Sequence, residues 1–244
     1  MLNIASETRE PALSGKRLLR GHIRRFRAHE YLIRCGQTSS ELHIVLDGWA
    51  ARYKQLPDGR RQITAIYLKG DLCDPSWLSP SSVRQPVVAM RRLRTASIEA
   101  DDVHSCAEEN ACLTRVILDE TRIALDVQAE WLIGLGRKTA RERLAHLLCE
   151  IGLRLGLVLS SKAARYDLPL TQSEMADFTG LTSVHVNRTL KDMRLEQLIE
   201  QHGQTLHIPD MLRLARAGLY SPGDQNIGKR LRDFVLLQPD FATA

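Results

Sequence analysis

Residues 168–200 read LPLTQSEMADFTGLTSVHVNRTLKDMRLEQLIE. The chemistry they offer is recognition. Thr171 is an N-cap candidate, and Glu174 sits three residues later, at the capping-box spacing. Met175 and Phe178 give the short helix that follows an apolar face, and Gly180 supplies the sharp turn that ends it. Thr182 caps a second helix over 183–195, which buries Val186, Leu190 and Met193. Ser183, His185, Asn187, Arg188 and Lys191 are left for other directions. Two short helices around a glycine turn form a helix-turn-helix, whose second helix enters the DNA major groove. Leu198–Glu200 and Thr205–Ile208 then read as two short strands with His202-Gly203-Gln204 as the hairpin tip, which makes the motif winged. Pro209-Asp210 opens a last helix containing Met211, Leu212 and Leu214. A helical hairpin inside an unrelated core is the plainer alternative. Two caps, a glycine turn and a wing in this order favour DNA.

Other chemistry is thin. No HxH cluster, nucleophile elbow or Walker loop occurs, so an enzyme is not expected. His22, His29, His43 and His104 have no diagnostic ligand spacing. Cys35, Cys73, Cys106, Cys112 and Cys149 are odd in number and scattered, and they read as reduced thiols. A redox or metal pair from Cys106 and Cys112 is the alternative. Asp101-Asp102, Glu108-Glu109 and Arg91-Arg92 read as solvated faces. No metal or cofactor is expected.

These residues need a frame. Residues 21 to about 105 read as short strands: Tyr31–Ile33, Leu42–Leu46, Trp49–Gln55 and Gln62–Leu68, with Val87–Met90 and Thr95–Ile98 weaker. Gly36-Gln37, Asp47-Gly48, Pro57-Asp58-Gly59 and Gly70-Asp71 punctuate them. Such spacing predicts an antiparallel barrel or sandwich. Residues 107–137 read as one long helix. Leu113, Ile117, Ala124 and Trp131 share one face with Val127 beside them, and Leu118, Leu125 and Leu132 form a second stripe. So wide an apolar arc needs cover on two flanks, one by the barrel and one by a partner helix. The partner interface is assigned to Leu113, Ile117, Ala124, Val127 and Trp131. A second helix covers 139–155, and Ser160–Ala164 reads as a linker. The expected organisation is therefore a tail (1–20), an antiparallel β-roll (21–106), a dimerisation helix (107–137), a winged helix-turn-helix (138–218) and a C-terminal extension (219–244).

Composition fits this organisation. The chain has 244 residues, 43% hydrophobic and 26% charged, within the range of soluble globular proteins. No stretch approaches the ~18 apolar residues of a membrane span, and no apolar leader follows Met1, so a cytoplasmic protein is expected. The net charge of +5 permits a polyanionic partner without locating it. Residues 160–220 hold seven basic and seven acidic side chains, so charge alone does not find the DNA face.

The order of barrel, long helix and winged helix-turn-helix resembles the Crp/Fnr family of bacterial transcription regulators. The resemblance rests on ELHIVLDGWAARYKQLPDGRRQITAIYLKGDL (41–72), GRKTARERLAHLLCEIGLRL (136–155) and LTQSEMADFTGLTSVHVNRTLKDMRLEQLIE (170–200). It implies an α+β fold, with a jelly-roll-like sensor domain and a homodimer of paired long helices on a two-fold-symmetric operator. It also implies contact with RNA polymerase. By matched position, Thr171 and Thr182 would touch phosphates. Ser183, Val184, Asn187 and Arg188 would face bases or the groove wall, with His185 reaching phosphate.

Two departures matter. Many members carry Glu where this chain has Val184. Val cannot accept from cytosine N4 but can meet a thymine methyl, so the operator is expected to differ. The family's Gly-Glu for a cyclic phosphate is replaced by Asp74-Pro75, and the later Arg-Ser by Arg84-Gln85-Pro86. Pro75 lacks an amide donor and Asp74 opposes an anion, so control by a cyclic nucleotide is not expected. Arg84 could substitute after a one-residue shift. Iron–sulfur members need a cysteine cluster near the N-terminus, and the first cysteine here is Cys35. The effector stays unassigned. The alternatives are a protein-interaction regulator with weak or lost DNA binding, or a cyclic-nucleotide-responsive one.

Overall fold

The computed structural model describes residues 21–78, 82–109 and 111–221. The tail and most of the C-terminal extension lie outside the described residues. Eight strands come first: β1 (Gly21–Phe26), β2 (Tyr31–Ile33), β3 (Glu41–Asp47), β4 (Ala50–Gln55), β5 (Arg61–Tyr67), β6 (Leu72–Cys73), β7 (Val87–Ala89) and β8 (Leu93–Glu99). They form two four-stranded sheets in the orders β1-β8-β3-β6 and β2-β7-β4-β5. All their pairings are antiparallel.

The period-2 alternation of the strands decides what each face covers. Val45 of β3 and Leu93 of β8 point between the sheets, where they meet Phe26, Ile33, Val87 and Tyr67. Leu42, Ile44 and Leu46 point the other way, with Ala96 and Ile98 of β8. Covered on both faces, β3 is buried from Leu42 to Leu46. His43 lies on the inner face, within 2.7 Å of the Ser97 hydroxyl. Gly48 closes the hairpin to β4 at φ 91°. A Cβ there would stand 2.1 Å from the Arg92 carbonyl, so glycine is required.

The helical segment differs from expectation. It begins at once after β8, as α1 (Ala100–Glu109), and continues as α2 (Ala111–Arg137). Asp101 and Asp102 stand in the first turn of α1, where carboxylates favour a helix N-terminus. Val103 and Cys106 of α1 join Leu113 and Ile117 of α2 on the outer face of β3 and β8.

The second half comprises α3 (Ala140–Arg154), β9 (Lys162–Asp167), α4 (Gln172–Thr179), α5 (Ser183–Leu195), β10 (Glu200–His202), β11 (Thr205–Asp210) and α6 (Met211–Ala217). Thr139 caps α3 in a capping box with Glu142. The stretch read as a linker runs directly into β9, which pairs antiparallel with β11. Ala164 and Tyr166 are its buried positions. Small residues and a buried tyrosine carried too weak an alternation to be seen as a strand.

One apolar core crosses between the halves. Trp49, Tyr53, Ile63 and Ile66, from the outer face of the second sheet, share it with Leu144, Leu148, Phe178, Met193 and Leu214. The roll and the winged domain therefore hold a fixed relation in this arrangement.

Candidate nucleic-acid interface

Local sequence builds the helix-turn-helix. Thr171 Oγ1 accepts from the Glu174 amide at 3.1 Å, and Glu174 accepts from the Thr171 amide at 2.7 Å. Gly180 follows α4 with φ 67° and ψ 32°. A Cβ there would be strained and would stand 3.1 Å from Leu135 Cδ2. Thr182 Oγ1 accepts from the His185 amide at 3.2 Å and starts α5. Both threonine hydroxyls accept in these caps, so each keeps its proton to donate to a phosphate.

Val186, Leu190 and Met193 are buried, as the spacing predicts, together with Thr189. On the other side Ser183, Val184, Asn187, Arg188 and Lys191 are exposed, with Val184 at 81%. Positions 184, 187, 188 and 191 are three and four apart and form one face. Among the described residues, the Arg188 and Lys191 side chains have no ion-pair partner, and both cations are available to an anion. His185 is half-buried, at the edge of this face. Asn187 Nδ2 donates to Gln172 Oε1 at 3.0 Å, which joins the starts of α4 and α5. Gln172 carries no sequence signal of this role, because a polar residue in a first helical turn is ordinary. Behind the face, β10 and β11 form the wing around Gly203, with His202 and Gln204 exposed at its tip.

The dimer residues need correction. Leu113 and Ile117 are buried against the chain's own roll and present nothing to a partner. Trp131 packs edge-to-face on Phe178 of α4, with ring centroids 4.1 Å apart, and its Nε1 donates to Glu150 at 2.6 Å. Val127 lines a cavity between the roll and α2, and only Ala124 of the five is exposed. The uncovered stripe is Leu118, Leu125 and Leu132, exposed by 65%, 61% and 72%. An apolar stripe announces that something covers it. It does not say whether that is the same chain.

Contacts across the halves hold α4 in place. Arg61 pairs with Asp177 at 2.6 Å, Gln62 donates to the Phe178 carbonyl at 2.9 Å, and Arg91 pairs with Glu174 at 3.3 Å. Beneath them lies a buried charge network. Arg154 of α3 pairs with Asp71 of the roll and with Glu150 at 3.2 Å, and donates to the Ile66 carbonyl at 2.9 Å. Burial pushes the Asp71 and Glu150 carboxyls above their ordinary range, and Arg154 opposes that rise. Lys138 Nζ reaches His146 Nδ1 at 2.7 Å and the Gly218 carbonyl at 3.0 Å, tying the end of α2 to the end of α6. These partners are up to 116 residues apart, and no local signal could have found them.

His146 is held down to about 4, chiefly by burial and then by Lys138, and His43 falls to about 4 mainly by burial. Between pH 6.5 and about 4 the unfolded chain therefore binds protons that the folded chain refuses. Stability is expected to fall as pH drops through that window, by roughly 3 kcal/mol per histidine. Asp71 and Glu150 act oppositely. Urea titrations from pH 7 to 4 check this. His146→Gln keeps an acceptor for Lys138 and is expected to remove one proton's share of the slope.

The roll–α2 cavity holds about 180 Å³ and is lined by Arg52, Thr64, Asp74, Pro75, Thr121 and Gln128, among others. Arg84 is exposed and is not part of the lining, so it does not replace the missing arginine. Two cations line the cavity, Arg154 and Arg52, and the Arg52 Nη1 pairs with Asp74 at 3.2 Å. Among the described residues no group of three or more His, Cys, Asp or Glu is placed to hold a metal. Cys35 is exposed, while Cys73, Cys106 and Cys149 are buried. The Cys112 side chain lies outside the described residues.

A β-roll joined through a long helix to a winged helix-turn-helix with a free recognition face defines a class, the DNA-binding transcription regulators with a cyclic-nucleotide-type sensor fold. The cyclic nucleotide-binding domain family matches residues 23–110, and the Crp-like helix-turn-helix domain family matches residues 142–217. The transcriptional activator protein FnrL of Cereibacter sphaeroides is 30% identical over 211 residues, 85% of this chain and 83% of that one. The nitrogen fixation regulation protein FixK of Azorhizobium caulinodans is 29% identical over 178 residues, 73% and 68% of the two chains. The solved structure of FixK2 from Bradyrhizobium japonicum superposes with a TM-score of 0.74 at 25% identity, over 84% of this chain and all of that one. The chain belongs to the Crp/Fnr family of transcription regulators.

The family implies a cyclic nucleotide in the roll, and the residues present do not fit one. The cations lining the cavity, Arg52 and Arg154, are both paired, and three acids, Asp71, Asp74 and Glu120, line it beside them. A cyclic phosphate would enter a site whose formal charge is already negative.

Proposed function

We propose that the chain acts as a homodimer on a two-fold-symmetric operator, with one α5 in each of two successive major grooves and without a cyclic nucleotide. The observation that carries this reading is the α5 face of Ser183, Val184, Asn187, Arg188 and Lys191, exposed beside two capped helix N-termini. Thr171 and Thr182 donate to phosphates, with His185 at the edge. Arg188 donates to guanine O6 and N7, Asn187 reads adenine, and Val184 meets a thymine methyl. Leu118, Leu125 and Leu132 repeat every seven residues along α2, and a second copy of that helix covers them, with Ala124 and Val127 at the rim. FnrL is described as a transcriptional activator, which supports contact with RNA polymerase.

Selection of fragmented genomic DNA on the purified chain, without added effector, tests the reading. Enrichment of a symmetric motif with half-sites one helical turn apart, about 10 bp, is expected. Leu125→Glu/Leu132→Glu is expected to sediment as a monomer and to lose that enrichment. The balanced charge of residues 160–220 favours a second reading, a protein-interaction regulator with weak DNA binding. It predicts no enrichment from the intact dimer.

A further inference from the structure

We propose that the Asp74 carboxylate is a built-in anion. From within the chain it fills the seat on Arg52, between the roll and α2, that an anionic effector would need. The chain therefore reaches its DNA-binding arrangement without such an effector. The proposal rests on the regulator reading above and extends it to how the sensor fold is used.

The seat is formed by the turn after β6. Asp74 adopts a left-handed φ of 43° and is buried to 4% exposure. An aspartate tolerates this conformation when its side chain is held locally. Here one oxygen accepts from the Ser76 amide at 2.8 Å and from the Ser76 hydroxyl, and the other accepts from Arg52 at 3.2 Å. Pro75 contributes no amide, so the Ser76 donor is the one a bound anion would have wanted, and Asp74 has taken it. Arg52 is fixed from the other side, where its Nε donates to Thr64 Oγ1 at 3.4 Å and that hydroxyl donates to Gln85 at 2.5 Å. The cation, the local amide and the hydroxyl that could grip an anion are thus already engaged.

The seat is also connected to the DNA-binding half. Trp131 lines the same cavity and packs on Phe178 of α4, while Asp71 and Arg154 of the lining belong to the network that joins the roll to α3. Removing the carboxylate would leave the half-buried Arg52 without its counter-charge, in a wall shared with the element that positions α4.

Tryptophan fluorescence and calorimetric titration of the full chain, with acetate, inorganic phosphate and cyclic AMP as separate probes, test the proposal. Asp74→Asn keeps an acceptor for Ser76 and removes the charge, and Asp74→Ala removes both. Wild type is expected to show no saturable response to any probe. Both variants are expected to bind acetate or phosphate roughly tenfold or more tightly than wild type. Arg52→Gln/Asp74→Asn is expected to lose that gain. Operator affinity, lowered in Asp74→Ala, is expected to return with added acetate. Saturable binding of acetate, phosphate or cyclic AMP to wild type would overturn the proposal. So would a gain that persists without Arg52, or no gain in a variant whose melting curve shows it folded. The wild-type titration stands even if neither variant folds. Because the titrations need no DNA, they test the anion seat by themselves, whereas a failure of wild type to bind operator would count against the regulator reading and the effector-free arrangement that rests on it.

Discussion

Arg154→Ala is expected to destabilise the folded chain by about 3–5 kcal/mol at pH 8, the range for removing one partner of a buried ion pair. Arg154 is the cation between two buried carboxylates, Asp71 from the roll and Glu150 from its own helix, and it also satisfies the Ile66 carbonyl. Its loss leaves two buried charges facing each other, with Trp131 Nε1 as the remaining donor to Glu150. Desolvation already raises both carboxyls, and without the guanidinium they rise further. They are ionised in the unfolded chain above its ordinary carboxylate range and resist ionisation in the folded one. The deficit is therefore full above the raised folded values and shrinks as pH falls through them. Urea denaturation of wild type and variant at pH 8 and pH 5 checks both size and direction. A deficit equal at the two pH values would show that packing of the arginine stem, not charge, was lost. The triple change Asp71→Asn/Glu150→Gln/Arg154→Leu is expected to recover much of the loss, since no unpaired charge remains.

Arg188→Ala is expected to cost about 1–3 kcal/mol of discrimination at one base pair of each half-site, roughly 5- to 150-fold. The side chain lies on the exposed face of α5 and, among the described residues, pairs with no acid. Val184 lies one turn before it on the same face, at i−4. A competition between the selected operator and its single-base variants, at one fixed salt concentration, is the measurement. A contact to base shows as relaxed preference at one position, with binding to unrelated DNA little changed. A contact to phosphate would weaken every sequence alike and lower the salt slope by about one. Val184→Glu is expected to shift preference at the neighbouring position away from a thymine methyl and toward a cytosine amine.

What the sequence alone settled was local. The boundaries of α5 were readable to the residue, because Thr182 bonds three residues ahead and Gly180 needs only its own φ. The capping boxes at Thr139 and Thr171 have the same short reach. The β-roll was legible from turn dipeptides such as Asp47-Gly48. β1 was not, since GHIRRF lacks a clear apolar alternation and gains its place by pairing with β8. β9 likewise lacks a clear alternation and gains its place by pairing with β11.

The tertiary structure decided which apolar stripe of α2 is spent on its own chain. Leu113 and Leu118 are equally apolar as letters, and only the position of the roll makes one core and leaves the other uncovered. It also decided the cation of the sensor cavity. Arg84 is the closer match in sequence, yet the fold brings in Arg52 from β4 and seats Asp74 on it, 22 residues away. The network of Asp71, Glu150 and Arg154 likewise spans 83 residues. Caps and turns follow from bonds that close within a few residues of chain. Burial, charge pairing and interface follow from which distant segments meet, and that is fixed only when the whole chain packs.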